Sequence, residues 1–454
     1  MPAGITVEPV LLIYMLATFM QYAIFQDLVY KKVCQGRPSL TLEDCQDLSS
    51  LNNTSELEII QKSSSLWILI STVSLIIPSI IVCNFLGAYS DTHGRKLPLV
   101  LPSVGMILSS IVYMVMSTYP EVPIDYIILA SIISGLFGGF VSCIMAVVSY
   151  VTTISTAELR TMRVGLLESM TFVGGTIGPF IGGAIFRASN SHTFVFLAIL
   201  CCHSLICFYV IFVIPEVSPP QSVGTTSKSC ARYLSCEDFI GSVKTVTKKR
   251  DEHRRTIIIL LLIASFVVMS VTAGETAVAF LYTHNYPLLW DYELYSYYFG
   301  LQYGLEALAL LVVMPLARRY FVNDVILAVV GLLSKFFGLV LHGLSTNTAM
   351  MFSVAVVSIF SSLCIPVFRA QLSVMVDASE QGKLFAFVAS MENLCTLFGT
   401  LMFNGLYPAT LSFFSGFVFE FGAGLLAIPL ILVGFVSFLM KRGSPALPDC
   451  IQQD

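Results

Sequence analysis

The sequence predicts an all-α membrane protein of twelve transmembrane helices arranged as two six-helix bundles, on three observations. Of its 454 residues 56% are hydrophobic and only 11% are charged, with a mean hydropathy of +0.83, a balance suited to lipid as the main solvent. The chain offers a dozen apolar windows of the roughly 20 residues that carry a helix across ~30 Å of hydrocarbon. The third observation is their grouping, six before and six after one long polar stretch. Barrel strands would be half as long and would alternate, which these runs do not.

In chain order the windows lie approximately at 7–30, 65–88, 97–118, 124–150, 162–187, 192–214, 255–283, 295–317, 323–343, 348–372, 384–408 and 416–440. The first has no basic flank before it and is too long for the apolar region of a cleavable signal, so it reads as a span. Short polar or Gly/Pro breaks separate most of the others, and two polar segments are longer, from about residue 31 to 64 and from about 215 to 254. If successive spans alternate sides, Arg95/Lys96, Arg160/Arg163, Arg318/Arg319, Lys383 and Lys441/Arg442 all fall on one side, with the basic residues of the central segment. Lys and Arg near span ends prefer the cytoplasm, so both termini are expected there. The expected organisation is an N-terminal bundle over 1–214, a cytoplasmic loop over 215–254, a C-terminal bundle over 255–440 and a cytoplasmic tail over 441–454.

The central loop opens with the Pro/Ser-rich PEVSPPQSVGTTSKS and turns basic at KTVTKKRDEHRR. That basic run suits a resting place near the anionic headgroups of the bilayer, with a regulatory site as the sharper alternative. The outer segment contains NNTS, a glycosylation acceptor at Asn52 or Asn53. Of twelve cysteines most lie inside spans as packing residues; only Cys34 and Cys45 sit on the oxidising side, where they can pair with each other or stay free. No Cys/His pair in a loop has a spacing that closes around zinc, so no metal is expected. The net charge of −4 is small, and no nucleic-acid partner is expected.

An ionisable side chain is costly in hydrocarbon, so each one inside a span is a functional candidate. They are Glu168, Glu275, Glu306, Lys335, Arg369, Glu392 and Glu420, with His203 and His342 read as satisfied core or end-of-helix residues. Glu168 lies in GLLESMTFVGGTIGPFIGG, where glycines and Pro179 allow close packing and bending beside a cavity. Burial favours the neutral form of a carboxyl, so Glu168 can carry a proton or make a structural hydrogen bond. Arg369 cannot shed its charge; it either grips a substrate carboxylate bidentately or pairs with a helix acid. Lys335 reads as snorkelling or internally paired rather than contacting substrate, which is the alternative, and Glu275, Glu306, Glu392 and Glu420 as lining a cavity or outer vestibule. The aromatic run YELYSYYFGLQYG reads as an interfacial belt ahead of a cavity wall.

Two sets of six spans joined by a cytoplasmic loop suit a transporter built from repeats, with a midplane site between them. Between spans two and three lies GAYSDTHGRK, with the spacing G-x-x-x-D-x-x-G-R-[RK]. Gly87 would let helices approach, Gly94 would permit a tight turn, and Asp91 could hydrogen-bond a helix end or its arginine. Such a cluster can latch one face of the protein; its plainer reading is a basic loop obeying the charge rule. The matching loop of the second half, MPLARRYFVND, keeps Arg318 and Arg319 without the glycines or the central aspartate.

This motif resembles the signature of the major facilitator superfamily at every defined position: Gly87, Asp91, Gly94, Arg95 and Lys96. Further stretches resemble the proton-coupled folate transporter family, solute carrier family 46: VEPVLL, GLLES around Glu168, PVFRAQLS around Arg369, SEQGKLFA and FNGLYPATLSFFSGF. The resemblance implies a major facilitator fold and a symporter that drives a folate-like or other bulky organic anion inward with the proton gradient. By the same resemblance Glu168 couples protons, Arg369 binds substrate, and Asp91 with Arg95 gates the inner face. Glu275 joins the proton-coupling set and Glu392 the substrate-binding set. Three positions depart from the family. Thr272 stands where folate-transporting members have a histidine, with Glu275 nearby as substitute; Leu136 stands for an aspartate, and Leu289 for an exofacial cysteine, leaving Cys34 with Cys45 as the available bridge. The departures widen the expected substrate to other bulky anions, including cyclic dinucleotides and peptidoglycan fragments. No bond is made or broken, so no enzyme and no cofactor beyond the coupling proton is expected, in a monomer at the plasma membrane. Proton-driven efflux and a non-transporting receptor are the alternatives.

Overall fold

In a computed structural model, residues 6–38, 40, 45, 54–155, 157–217, 246–248, 250, 253–320, 323–376 and 381–443 are described. Among them the secondary structure is helical, without strands, because a chain in lipid has no water to satisfy its backbone and must bond to itself. The first bundle holds α1 (Glu8–Gln35), α2 (Thr54–His93), α3 (Lys96–Thr118), α4 (Tyr126–Leu136) continued by α5 (Gly139–Ile154), α6 (Ala157–Ser189) and α7 (His192–Phe212). The second begins with α8 (Arg254–Thr283) and α9 (Tyr292–Leu308), which runs through a π-helical segment (Ala309–Val313) into α10 (Met314–Arg319). It continues with α11 (Asp324–Gly343), then α12 (Thr348–Val357) joined by a 3₁₀ turn (Ser361–Leu363) to α13 (Cys364–Val374). α14 (Gln381–Thr410), α15 (Phe417–Leu425) and α16 (Ala427–Gly443) complete it. Among the described residues ten stretches are long and apolar enough to cross a membrane, and α9 with α10, together with α14, bring the spans to two sets of six.

One end of the molecule carries the starts of α1 and α3 and the basic motif; it is called the basic end. At the other, Cys34 at the end of α1 is disulfide-bonded to Cys45, with a Cα–Cα distance of 5.8 Å; this is the disulfide end. Asn52 and Asn53 lie outside the described residues, as do most of the central loop and the tail.

Span four breaks where Gly138 and Gly139 take φ of +95° and +55°, a region that glycine enters without a Cβ clash. The carbonyl of Gly138 accepts a hydrogen bond from Ser79 Oγ at 2.6 Å, so the break leaves that acceptor satisfied inside the protein. α6 is held from two sides by its glycines. Cβ atoms at Gly174 and Gly178 would collide with the backbone of Leu16 on α1, while Gly175 and Gly183 face Tyr303 and Tyr297 of α9. Four-residue spacing of small residues lets helices meet backbone to backbone, and here it lets α6 serve as wall for both bundles.

The bundles meet along α6 with α9 and α2 with α14, with lighter contacts from α1 to α8 and α9. Ser65 Oγ of α2 donates to Asn404 Oδ1 at 2.9 Å, and Tyr407 OH of α14 donates to Gln61 Oε1 at 3.3 Å. Rings fill the seam: Tyr22 stacks on Phe299 with centroids 5.9 Å apart, and Phe19 meets Tyr303 edge-on at 4.6 Å. Together these contacts close the seam from the middle of α1 to the disulfide end.

Gly178→Leu should abolish the monodisperse peak of the detergent-solubilised protein in fluorescence size-exclusion chromatography, whereas Gly424→Ala, with open space around it, should leave the profile unchanged.

Candidate functional site

The helices of the second bundle bring four ionisable groups to one cavity. Lys335 and His342 stand seven residues apart on α11, two turns along the same face. Both reach Glu275 of α8: the Lys335 ammonium pairs with its Oε2, and His342 Nδ1 lies 3.3 Å from its Oε1. Glu275 is 5% exposed, Lys335 4% and His342 1%, so each charge is answered by a neighbour rather than by water. Glu306 of α9 is the fourth, its Oε1 accepting from Ser361 Oγ at 2.8 Å. Ser362 Oγ donates to the Glu306 carbonyl at 3.1 Å, just before the π segment.

The cavity, with about 30 Å³ of internal room, is lined by these four groups and by Tyr298 and Tyr303, among others. Thr272 also lines it, its hydroxyl turned back onto the Val268 carbonyl at 3.0 Å. Two buried polar atoms on this wall, Tyr298 OH and His342 Nε2, have no hydrogen-bond partner among the described residues. Buried polar atoms are nearly always paired, so the wall has bonding capacity to spare. Sequence reasoning placed the aromatic run of α9 chiefly in an interfacial belt; Tyr292, Tyr295, Tyr298 and Phe299 are instead buried, Tyr292 and Phe299 against α6 and α1 and Tyr295 and Tyr298 against Phe280 of α8 and Phe352 of α12. His342, read as an end-of-helix residue, belongs to the charged cluster. His203 is fully buried edge-on to Tyr14, with neither ring nitrogen bonded among the described residues.

Arg369 of α13 and Glu392 of α14 form an ion pair, each side chain about one-third exposed (30% and 29%). Both were expected at the substrate; the fold brings them together. The side chains of Glu168 on α6 and Asp91 on α2 lie outside the described residues.

The rest of the motif builds the basic end. Gly94 has φ +130°, and a Cβ there would strike the Glu216 carboxylate. That carboxylate accepts from the backbone N–H of Arg95 at 2.6 Å and of Lys96 at 3.2 Å, a negative group at the positive end of α3. Arg95 donates to Ser149 Oγ of α5, and Lys96 Nζ to the Ile211 carbonyl at 2.9 Å. Gly87 differs from expectation: a Cβ there would meet only Met145, at an ordinary 4.0 Å, so close helix approach does not require it.

A second polar cluster sits at the disulfide end, around Asp27 of α1. Its Oδ2 is 2.5 Å from His192 Nε2 and 3.3 Å from Lys31 Nζ, and its Oδ1 is 3.8 Å from His284 Nε2 of the other bundle. Nearby, Arg187 and Glu293 pair between α6 and α9 at 3.3 Å. Sequence reasoning missed Asp27, although it falls inside the first predicted span and the rule that singled out Glu168 applies to it equally.

The sequence profile of the Major Facilitator Superfamily matches residues 10–341. The proton-coupled folate transporter of Rattus norvegicus is 32% identical over 395 residues, 86% of this chain and 82% of that one. The lysosomal proton-coupled steroid conjugate and bile acid symporter SLC46A3 of Rattus norvegicus is 28% identical over 450 residues, 97% and 96% of the two chains. Among solved structures, the human organic anion transporter MFSD10 (TETRAN) superposes with TM-score 0.64 at 16% identity, covering 94% of this chain and 97% of that one. A POT family transporter in complex with 5-aminolevulinic acid gives 0.62 at 14% identity, covering 96% of each. At such identities the structures speak for the fold alone.

Asp27→Asn should loosen the disulfide end. A cysteine introduced at Tyr22 should then react with a membrane-impermeant maleimide about 5- to 30-fold faster, the population shift that ~1–2 kcal/mol produces.

Proposed function

This chain belongs to the Major Facilitator Superfamily, in its solute carrier 46 branch, and on that premise we propose that it is a proton-driven importer of bulky organic anions. It is a multi-pass membrane transporter of the secondary active, proton-coupled kind, and not an enzyme. The observation that carries the reading is the Glu275, Lys335 and His342 cluster, buried on the wall of a cavity lined by α8, α9 and α11. A carboxylate so placed can hold a proton in one conformation and an ammonium partner in the other, and that difference is what a coupled transporter requires.

Glu275 carries the coupling proton, with Glu168 of α6 as the other acid. Arg369 holds the substrate's anionic group, with Glu392 releasing it on demand. The basic end, where Gly87, Asp91, Gly94, Arg95 and Lys96 lie, is the cytoplasmic gate, and both termini face the cytosol. The disulfide end, with Asn52 or Asn53 glycosylated, faces outward. Here that end is closed by the seam of α6 with α9 and α2 with α14, so substrate leaves toward the basic end as the bundles rock. The cargo is a folate-like molecule or another ring-bearing anion; the similar proteins are named for folate in one case and for steroid conjugates and bile acids in the other. We place the protein at the plasma membrane as a monomer, with surface biotinylation as the check against a lysosomal address.

Proteoliposomes with an acidic exterior should concentrate labelled folic acid, estrone sulfate or taurocholate, and a protonophore should abolish the accumulation. Glu275→Gln and Glu168→Gln should each lose concentrative uptake yet keep substrate exchange. Accumulation that ignores the pH gradient would remove the coupling, and full concentrative uptake in either variant would remove that residue from it.

A further inference from the structure

Lys335 is the cation nearest the cavity's empty bonding capacity, and its environment is odd for a structural ion pair. Replacing a buried pair by apolar residues is often neutral or stabilising, so such a pair is a poor device for stability alone. This one does not sit in a sealed core. It lines a cavity together with Glu306, Tyr298 and His342, and the last two present the unpartnered Tyr298 OH and His342 Nε2. Phe419 of α15 stacks on His342 with centroids 3.9 Å apart and so fixes the plane in which Nε2 lies.

We infer that Lys335 is an anion anchor for the transported substrate, blocked by the Glu275 carboxylate until a proton on that carboxylate frees the ammonium group. The inference rests on the symport reading above and deepens it by naming a second cation, besides Arg369, that recognises the cargo.

Charge counting supports the order of events. With His342 neutral and both carboxyls ionised, one lysine faces Glu275 and Glu306, and the cluster carries one net negative charge. A monoanion entering alone would double that charge inside a low-dielectric wall, where repulsion is strong. A monoanion entering with one proton leaves it unchanged. The proton that matters is the one on Glu275, because that carboxylate contacts the ammonium directly, whereas Glu306 Oε1 accepts from Ser361 and a proton there would leave the pair of Glu275 with Lys335 closed. Once Glu275 is neutral its ion pair with Lys335 is lost, and the ammonium donates instead to the incoming carboxylate, sulfate or sulfonate. After the protein turns toward the basic end, the proton leaves Glu275 for the cytosol, the carboxylate reclaims Lys335, and the anion is displaced.

The groups facing Glu275 permit this exchange. α11 contributes Lys335 and His342, and α9 contributes Tyr295, Tyr298, Tyr303 and Glu306 within electrostatic reach. Cys364 of α13 lies near Lys335, Glu420 of α15 abuts Gly343 beside His342, and α14 meets this part of α8 through Phe403 over Gly274. Lys335 is thus the sole fixed cation among these groups. Tyr298, Phe299 and Tyr303 give the cavity a ring-lined wall, so the cargo is an oxyanion on an aromatic or polycyclic body rather than a small aliphatic acid.

The test measures KM and Vmax for labelled folic acid, estrone sulfate and taurocholate in proteoliposomes at neutral and acidic external pH. These three distinguish carboxylate, sulfate and sulfonate cargo. Wild-type protein should show a KM that falls on acidification for at least one of them. Glu275→Gln should show the low KM already at neutral pH. Lys335→Gln should raise KM about 10- to 100-fold, the worth of one charged hydrogen bond, at every pH. Because that variant leaves Glu275 buried without its ammonium, the double variant Glu275→Gln/Lys335→Gln, which removes both members of the ion pair and leaves Glu306 its Ser361 hydrogen bond, is measured beside it. The double variant should fold, transport, and keep the raised KM. A wild-type KM in the double variant, with only Vmax or protein yield reduced, would overturn the assignment of Lys335 and leave symport standing. Failure of the wild-type protein to accumulate any of the three under a pH gradient would overturn the symport reading and this inference together.

Discussion

A charge sunk in hydrocarbon must be answered by another charge, and in this protein Glu275 is answered by Lys335 and His342 across the gap between α8 and α11. Removing one member of such a buried set costs roughly 3–5 kcal/mol, because its partner is left uncompensated. The register of α8 against α11 follows from that constraint: sliding either helix by one turn would part the pair and strand both charges. The cavity follows too, since polar head groups and their aromatic neighbours on α9 occupy space that interdigitating aliphatic side chains would otherwise fill. What fixes the register of α8 against α11 is therefore also what a proton can alter.

The seam between bundles is built differently. It relies on single hydrogen bonds such as Ser65 to Asn404 and Gln61 to Tyr407, on the longer Asp27 to His284 contact, and on the half-exposed Arg187 to Glu293 pair. Each is worth little by itself, and rings that slide past one another fill the space between. A seam of this kind can open and close without unfolding either bundle. The glycine faces of α6 reconcile the two requirements. Backbone contact with α1 keeps α6 rigidly inside the first bundle, while the opposite face gives α9 a smooth surface to move against.

Much of this was legible in the sequence, and the failures share a cause. The length and composition of the spans gave their number, and the tight turn at Gly94 followed from its place between two apolar runs. Glu275, Lys335, Arg369 and Glu392 all stood out as ionisable groups in apolar windows. The aromatic run of α9 was misjudged because a tyrosine-rich segment near a span end has the same composition whether it faces headgroups or another helix. Asp27 escaped notice because it lies near the end of its window, where polar residues are common. His342 looked like a helix terminus for the same reason, and Gly87 looked like a packing glycine although its neighbour Met145 stands clear.

The sequence by itself determined the solvent, the helical spans, the division into two sets of six and the positions of the ionisable groups along each helix. Hydropathy and spacing are one-dimensional quantities, and those properties depend on nothing else. Only the tertiary structure decided that Glu275 meets a lysine 60 residues away and that Arg369 meets Glu392. It also decided that α6 faces both ways. Helical periodicity fixes where a side chain lies relative to its own axis, but the rotation of that axis and the choice of neighbour are set by the packing of all twelve spans at once.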